Sequence, residues 1–459
     1  MFCWVVWGPR NGSKGLAMSR LEELREARGG LKALGQSRQP MVAAVDLGTS
    51  KVACFILRPE GVNRAVRTLQ TAGVGYVQSR GVRAGVITDT ELAIESIAQA
   101  VERAETLAGV QVSGVTVATA GGDLGSQRVV SQVSIGARPV CEADCARAVS
   151  AAIAKLRAPG RRPIHFLPVS WTVDGHKGVR DPRGMAGRDL RLDLLVVTME
   201  ETAFSTLCYC VERAHLRFEG AVAAPLASAL SALEEDEMDL GCVCIDMGGG
   251  STSMAVFANG SLAHLDSIPV GGGHVTQDIA KGLSTTIAGA ERIKTLHGSA
   301  IASNGEDREM IEAPPRGDDP GAGPVVAPRS MLKGVIAPRV EETFELLRDR
   351  LRASGVPIEP GAGIVLTGGA SQLAGVRETA VRVFDRPVRL GRPRRTPHLA
   401  DAAAGPAYCA AAGVLQRAAF GPREAVSSRS LIDGKPRPPD PYEGASPLTR
   451  AMGWLKENL

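Results

Sequence analysis

Apolar and polar positions along the chain follow two different periods, and the switches between them mark the elements. Val42-Ala-Ala-Val45 reads as a short buried strand, Asp46-Leu-Gly-Thr-Ser50 as a turn, and Lys51 to Leu57 as a second strand of β-branched and aromatic residues. A third strand fits Thr68 to Val77, and Ser79 to Gly85 is a glycine-punctuated loop. Thr88-Asp-Thr-Glu91 has capping-box spacing and opens a helix to about Leu107. Its apolar positions Leu92, Ile94, Ile97, Ala98, Val101 and Leu107 fit a helix packed on a sheet. Val112 to Ala118 is a further strand, ending at Thr119-Ala-Gly-Gly122.

Composition then changes until about Glu200. Strand-like Val129–Ile135, a helix near Glu142–Leu156 and strands at Ile164–Trp171 and Leu190–Thr198 predict a small inserted α+β unit. Ala203 to Arg213 is helical. The second half restarts the opening pattern: Gly241-Cys-Val-Cys-Ile245 is a strand, Asp246-Met-Gly-Gly-Gly-Ser-Thr252 its turn, and Ser253–Phe257 the returning strand, with a hairpin signal at Asn259-Gly260. Strand, Asp-x-Gly turn and strand thus occur twice, about 200 residues apart, which predicts two homologous α/β lobes. Residues 299–328 read as a Gly/Pro/acid-rich loop and 421–445 as a polar, Pro-rich linker. The expected order is an extension at 1–40, lobe I at 41–121, 201–240 and 390–420, the insertion at 122–200, and lobe II at 241–274 and 336–389. An outer unit at 275–335 and a periodic tail at 446–459 complete the division.

The bulk properties narrow the function. With 459 residues, several domains and a sizeable core are expected. A net charge of +4 spread along the chain argues against nucleic acid, and the clusters Arg161-Arg162 and Arg392-Pro-Arg394-Arg395 read as solvated surface. The nine cysteines lack metal spacing and read as reduced small hydrophobes. No apolar run approaches the roughly 18 residues of a membrane span. The opening Met1–Trp7 is apolar but lacks the marks of a signal peptide, and Met18 offers a second start position.

The two turns carry the chemistry. Asp46 and Asp246 stand at the carboxyl ends of apolar strands, the side of an open sheet that borders its ligand crevice. Gly48, Gly248, Gly249 and Gly250 let backbone N–H groups approach phosphate oxygens, with the hydroxyls of Thr49, Ser50, Ser251 and Thr252 as further donors and Lys51 as a point charge. The two carboxylates suit Mg²⁺ held mainly through water. No Walker loop is present. Gly363-Ile-Val-Leu-Thr-Gly-Gly-Ala-Ser371 is a strand running into a Gly368-Gly369-Ala370 turn, where an adenosine moiety could lie against the backbone, with a helix expected from about Gln372. Glu291 and Lys294 share a helix face and could reach adenine and ribose.

Together these segments resemble the sugar-kinase/chaperone/actin superfamily, with Asp46–Lys51 and Asp246–Thr252 as its phosphate motifs and Thr367–Ser371 as its adenosine motif. Within it, Ser79-Arg-Gly81, Gly85-Val-Ile-Thr-Asp89, Gly241–Ser251, Ile293–Gly298 and Gly363–Ala370 resemble the FtsA family. The resemblance implies a two-lobed actin-like (ribonuclease H-like) ATPase fold, with the insertion as subdomain 1C. It also implies ATP and Mg²⁺ as cofactors, self-association into filaments, and binding of the FtsZ carboxyl-terminal peptide by the outer unit of lobe II alongside other division proteins. The segment Gly220–Ala229 resembles the connection between lobes. In the heat-shock chaperones a glutamate precedes its proline and orients the attacking water; here Ala224 precedes Pro225, which implies slow hydrolysis.

The tail supplies a last reading. After Ser446 as N-cap and Pro447, the residues Leu448, Ala451, Met452, Leu455 and Leu459 fall in one helical stripe, with Trp454 and Lys456 on its flanks. This is the pattern of a short interfacial helix, and together with the family resemblance it implies peripheral attachment to the cytoplasmic face of the inner membrane. The competing readings are a PilM-like pilus assembly protein, which is not expected to end in such a tail, and a superfamily kinase, for which no base or substrate motif is found.

Overall fold

The structure is a computed structural model that describes residues 41–60, 68–302, 308–316, 323–394, 403–420 and 424–426. The leading extension and the tail helix expected at 446–459 lie outside the described residues.

Lobe I is built on a five-stranded sheet in the order Arg217–Ala223, Gly114–Thr119, Val42–Leu47, Lys51–Glu60, Thr68–Gln78. Its central strands are apolar on both faces because helices cover both. On one side the helix Thr90–Ala108 lies close on the edge strand: a Cβ at Gly73 or Gly75 would overlap the carbonyls of Ala104 and Ala100. The buried stripe of that helix is therefore Ala93, Ile94, Ile97, Ala100, Val101 and Ala104, while Leu92 and Leu107, expected to pack inward, face solvent. Small residues, not large ones, set the interface distance here.

Lobe II repeats the geometry. Asp46 pairs with Ala53 in lobe I, and Asp246 pairs with Ser253 in lobe II, so both turns close in the same register. Each turn is pinned by its first glycine: Gly48 N–H donates to Lys51 O at 3.1 Å and Gly248 N–H to Ser251 O at 2.9 Å. The strand Gly363–Thr367 lies parallel to Cys242–Met247 and sets Thr367 beside Asp246. The outer unit consists of helices Gly272–Gly282 and Ile287–His297, a hairpin of Met310–Ala313 with Val325–Pro328, and the long helix Arg329–Ala353. The hairpin corrects the expected loop at 299–328, whose Val325-Val-Ala327 carries the strand signal. The helix runs without a break across residue 335. The helix expected from Gln372 begins instead at Val376: Gly369–Gln372 is a 3₁₀ turn, and Gly375 at φ +78° precedes the helix.

The insertion is an antiparallel sheet of Gly125–Pro139, Ala186–Glu200, Arg161–Val173 and His176–Val179, backed by the helix Glu142–Lys155. Leu190, Leu192, Leu194 and Val196 face its own core, whereas Leu195, Val197 and Met199 face the core of lobe I. Its sheet also joins that of lobe II through one residue pair, Gly125 with Asp266. Ser126 Oγ donates to Leu265 O (2.8 Å), and Ser267 Oγ to Leu124 O (2.9 Å), on either side of that pair.

Two helices cross between the lobes. Ala224–Ala232 is buried at every residue, and the closing helix Cys409–Phe420 packs on it at Gly413, where a Cβ would overlap the Ala227 carbonyl. The segment beyond the closing helix, expected as free linker, is fixed at Glu424–Val426: Ala425 and Val426 are buried in the core of the insertion.

Candidate functional site

A cleft of about 790 Å³ opens where the two Asp-x-Gly turns face each other. Every residue singled out above for nucleotide or metal lines it: Asp46, Gly48, Thr49, Ser50 and Lys51 from lobe I, Asp246 and Gly248–Thr252 from lobe II, Glu291 and Lys294 from the outer unit, and Gly368–Ala370. The turns approach so closely that a Cβ on Gly249 would come within 2.6 Å of Ser50 Oγ, and one on Gly250 would overlap Thr49. Thr49 Oγ1 accepts the Gly85 N–H at 2.9 Å, which ties the first turn to the loop before helix Thr90–Ala108.

The two carboxylates are buried under opposing influences. Burial pushes Asp46 up to about 7, Lys51 pulls it back, and the charge of Asp246 raises it further. Asp246 is likewise raised by burial, against the Ser228 hydroxyl, which donates to its Oδ2 at 2.5 Å, and against Lys51. Burial lowers Lys51, against the pull of both aspartates. The site thus holds two carboxylates close to one ammonium in a desolvated pocket, an arrangement that gains from a bound cation. Among the described residues no group of three or more His, Cys, Asp or Glu side chains could hold a metal alone. The donor set fits an ion that takes few protein ligands and keeps its water, as Mg²⁺ does.

Glu291 is exposed, but Lys294 is largely buried, and the pair is more than an intrahelical one. Lys294 Nζ donates to Glu291 Oε2 (2.7 Å), Thr276 Oγ1 (2.8 Å) and Gly272 O (3.2 Å), so the pair is locked to the first turn of helix Gly272–Gly282. Gly368 has φ +83°, and a Cβ there would overlap Asp246 Oδ1, so this glycine serves the fold. A Cβ at Gly369 would meet only Ala407, at 3.6 Å, so this one leaves room in the cleft. Thr252, expected as a phosphate donor, spends its hydroxyl proton on Val270 O at 2.7 Å and is fully buried.

Sequence reasoning missed several lining residues. Gly271-Gly272-Gly273 forms a third glycine turn at a helix N-terminus, with Gly272 and Gly273 N–H groups donating to Gly248 O (2.9 Å) and Gly249 O (2.7 Å). A glycine triplet before a helix was the available signal. Two residues behind the lining were missed as well: Ser228, in an alanine-rich helix, holds Asp246, and Thr276, on an ordinary amphipathic one, holds Lys294, and neither position carried a signal.

Residues 121–198 match the family described as "SHS2 domain inserted in FTSA", and residues 243–413 match "Cell division protein FtsA". The chain is 40% identical to the Cell division protein FtsA of Agrobacterium fabrum over 94% of this chain and 97% of that one. It is 42% identical to that of Rhizobium meliloti, with the same coverage of 94% and 97%. Among solved structures, a chain of the PilM-PilN type IV pilus biogenesis complex superposes with a TM-score of 0.58 at 15% identity, over 83% of this chain and 99% of that one. That likeness is one of actin-like fold alone. Sequence identity over nearly the whole length decides the family: the chain belongs to the FtsA cell division proteins.

Proposed function

We propose that this actin-like cell division protein binds ATP with Mg²⁺ in the interlobe cleft, self-associates into filaments, and ties the FtsZ carboxyl-terminal peptide to the cytoplasmic face of the inner membrane. The observation that carries the nucleotide reading is the convergence of four glycine turns, at Gly48, Gly248–Gly250, Gly271–Gly273 and Gly368–Gly369, around two buried carboxylates and one lysine. The turns would cradle phosphates, Asp46 and Asp246 would hold the hydrated Mg²⁺, and Glu291 and Lys294 would border the adenosine end. Bound there, the ion would neutralise phosphate charge. Ala224 lines the cleft and can neither orient water nor take a proton, which supports slow hydrolysis and a conformational use of ATP.

Attachment rests on the tail. Among the described residues no helix is long and apolar enough to cross a membrane. By its sequence pattern the tail would set Leu448, Met452, Leu455 and Leu459 in the interfacial stripe with Trp454 on its flank; the charge of the tail is nearly balanced, so a single copy binds weakly and a filament binds through many. For the FtsZ peptide, the outer unit of lobe II offers exposed apolar side chains at Leu296, Ile301, Met310, Val326 and Met331. Co-sedimentation with anionic liposomes, with and without Mg-ATP and FtsZ, tests the whole reading. Pelleting that depends on the tail, with FtsZ carried down, is expected; FtsZ remaining in the supernatant beside membrane-bound protein would end the adaptor role.

A further inference from the structure

The last described residues meet the insertion in a contact that leads back to the cleft. Glu424 accepts three donors: the Phe166 N–H at 2.9 Å, His165 Nδ1 at 2.8 Å, and Arg417 of the closing helix in an ion pair. Ala425 N–H returns a hydrogen bond to Phe166 O at 2.8 Å, and the side chain of Val426 is buried at 1% exposure in the apolar cluster of the insertion. A carboxylate with its oxygens satisfied in this way is expensive to release, because each broken bond leaves a buried polar partner.

His165 is fully buried and works on both sides. Its Nε2 accepts the Ala223 N–H at 3.0 Å, which fixes the tautomer so that Nδ1 carries the proton and donates to Glu424. Ala223 is the residue that opens the interlobe helix Ala224–Ala232, and one turn further on that helix carries Ser228, the donor to Asp246. Arg417, the third member, lies on the closing helix that crosses the interlobe helix at Gly413.

We propose that Glu424 and His165 are positioning residues that couple the root of the carboxyl-terminal segment to the nucleotide cleft. The inference rests on the nucleotide reading above and adds its connection to the tether. The tether starts from the insertion, at Val426, not from the end of the closing helix. Nucleotide that draws Asp246 and the interlobe helix into one arrangement holds His165 against Glu424, and the latched segment in turn holds the helix start. Coupling of this kind is reciprocal: the factor by which nucleotide favours the latch is the factor by which the latch favours nucleotide.

Hydrogen–deuterium exchange on the full chain tests it, reading peptides that contain Phe166 and Ala425 with and without Mg-ATP, beside ATP affinity for wild type, Glu424→Ala, Glu424→Gln and His165→Asn. Mg-ATP is expected to slow exchange at Ala425 by about 5-fold or more, and Glu424→Ala to weaken ATP binding by the matching factor. Glu424→Gln keeps one acceptor oxygen, which can serve the Phe166 N–H or His165 but not both, and should fall between. A purely structural contact would lower the melting temperature of these variants and leave ATP affinity untouched. Wild-type affinity in folded Glu424→Ala, with exchange at Ala425 blind to ATP, overturns the coupling alone. Absence of ATP binding in the wild type overturns the cleft reading and the coupling with it.

Discussion

The ammonium of Lys51 stands 3.6 Å from the centroid of the Tyr408 ring. Tyr408 is itself held edge-on by Phe55 and Tyr76, at ring-centroid separations of 6.2 Å and 6.1 Å. A cation over a ring in a partly desolvated pocket is worth about 1–2 kcal/mol. The ring therefore keeps Lys51 at the cleft against the cost of burial. Tyr408→Phe is expected to leave ATP affinity nearly unchanged, and Tyr408→Leu to weaken it about 3- to 10-fold. Titration of a fluorescent ATP analogue measures both; equal affinities for the two variants would remove the ring from any role.

The two glycines of the Thr367-Gly-Gly turn should fail differently. Gly369→Asp projects a carboxylate into the cleft, so the protein folds and loses nucleotide. Gly368→Ala meets Asp246 and a left-handed backbone at once, so it loses stability, by about 1–3 kcal/mol. Thermal melts with and without Mg-ATP separate the cases. A Gly369→Asp protein that still gains stability from ATP would discard the assignment of this turn.

Much of this was legible in the chain because an Asp-x-Gly turn, common by itself in hairpins, has few alternative uses when it occurs twice in matching strand context. The repeat of Asp46 and Asp246 revealed both lobes, and every candidate they suggested lines one cleft. Elements set by small residues were harder to read. Ala100 and Ala104 carry the contact that Leu92 and Leu107 were expected to make, because close approach to Gly73 and Gly75 rewards absence of volume. The anchoring of Glu424–Val426 was also silent in sequence: three residues in a polar stretch have no period, and their partners His165 and Phe166 lie about 260 positions away.

Acid should loosen the insertion first at Asp144. Burial pushes this carboxyl up, but the Cys141 N–H, Arg138 and Arg147 outweigh it and hold the group well below its ordinary 3.8. A folded-state value below the unfolded one adds stability that is present above pH 3.8 and lost as pH falls through the lower value. Asp144→Asn should cost about 1–3 kcal/mol near neutral pH, since both arginine partners are half-exposed, and the gap to wild type should narrow below pH 3.8 and close only as pH falls through the lower folded-state value. Urea melts at several pH values check it; a gap that does not depend on pH would assign the cost to packing.

Removing residues 446–459 is expected to leave a folded, ATP-binding protein that no longer pellets with anionic liposomes. Trp454→Glu should do nearly the same, by placing a charge at the interfacial depth. Truncated protein that still pellets would locate membrane contact elsewhere, with Met1–Trp7 the first segment to test.

Where the interlobe and closing helices cross, Gly413 lets backbone rest on backbone at Ala227. The side chains packed around that point are mostly small, among them Ala224, Ala227, Ala410 and Ala411, and Ser231 Oγ donates to Cys409 O at 2.8 Å, so a small rotation about it displaces little volume. A second restraint lies away from it, in the short stitch of Gly125 to Asp266, with its flanking serine hydrogen bonds, that sews the insertion to lobe II. The molecule is thus a lever with a loose fulcrum and a clasp away from it. In the filament proposed above, load passed between the insertion and lobe II would fall on the clasp, which joins them through one residue pair, so the clasp should yield first.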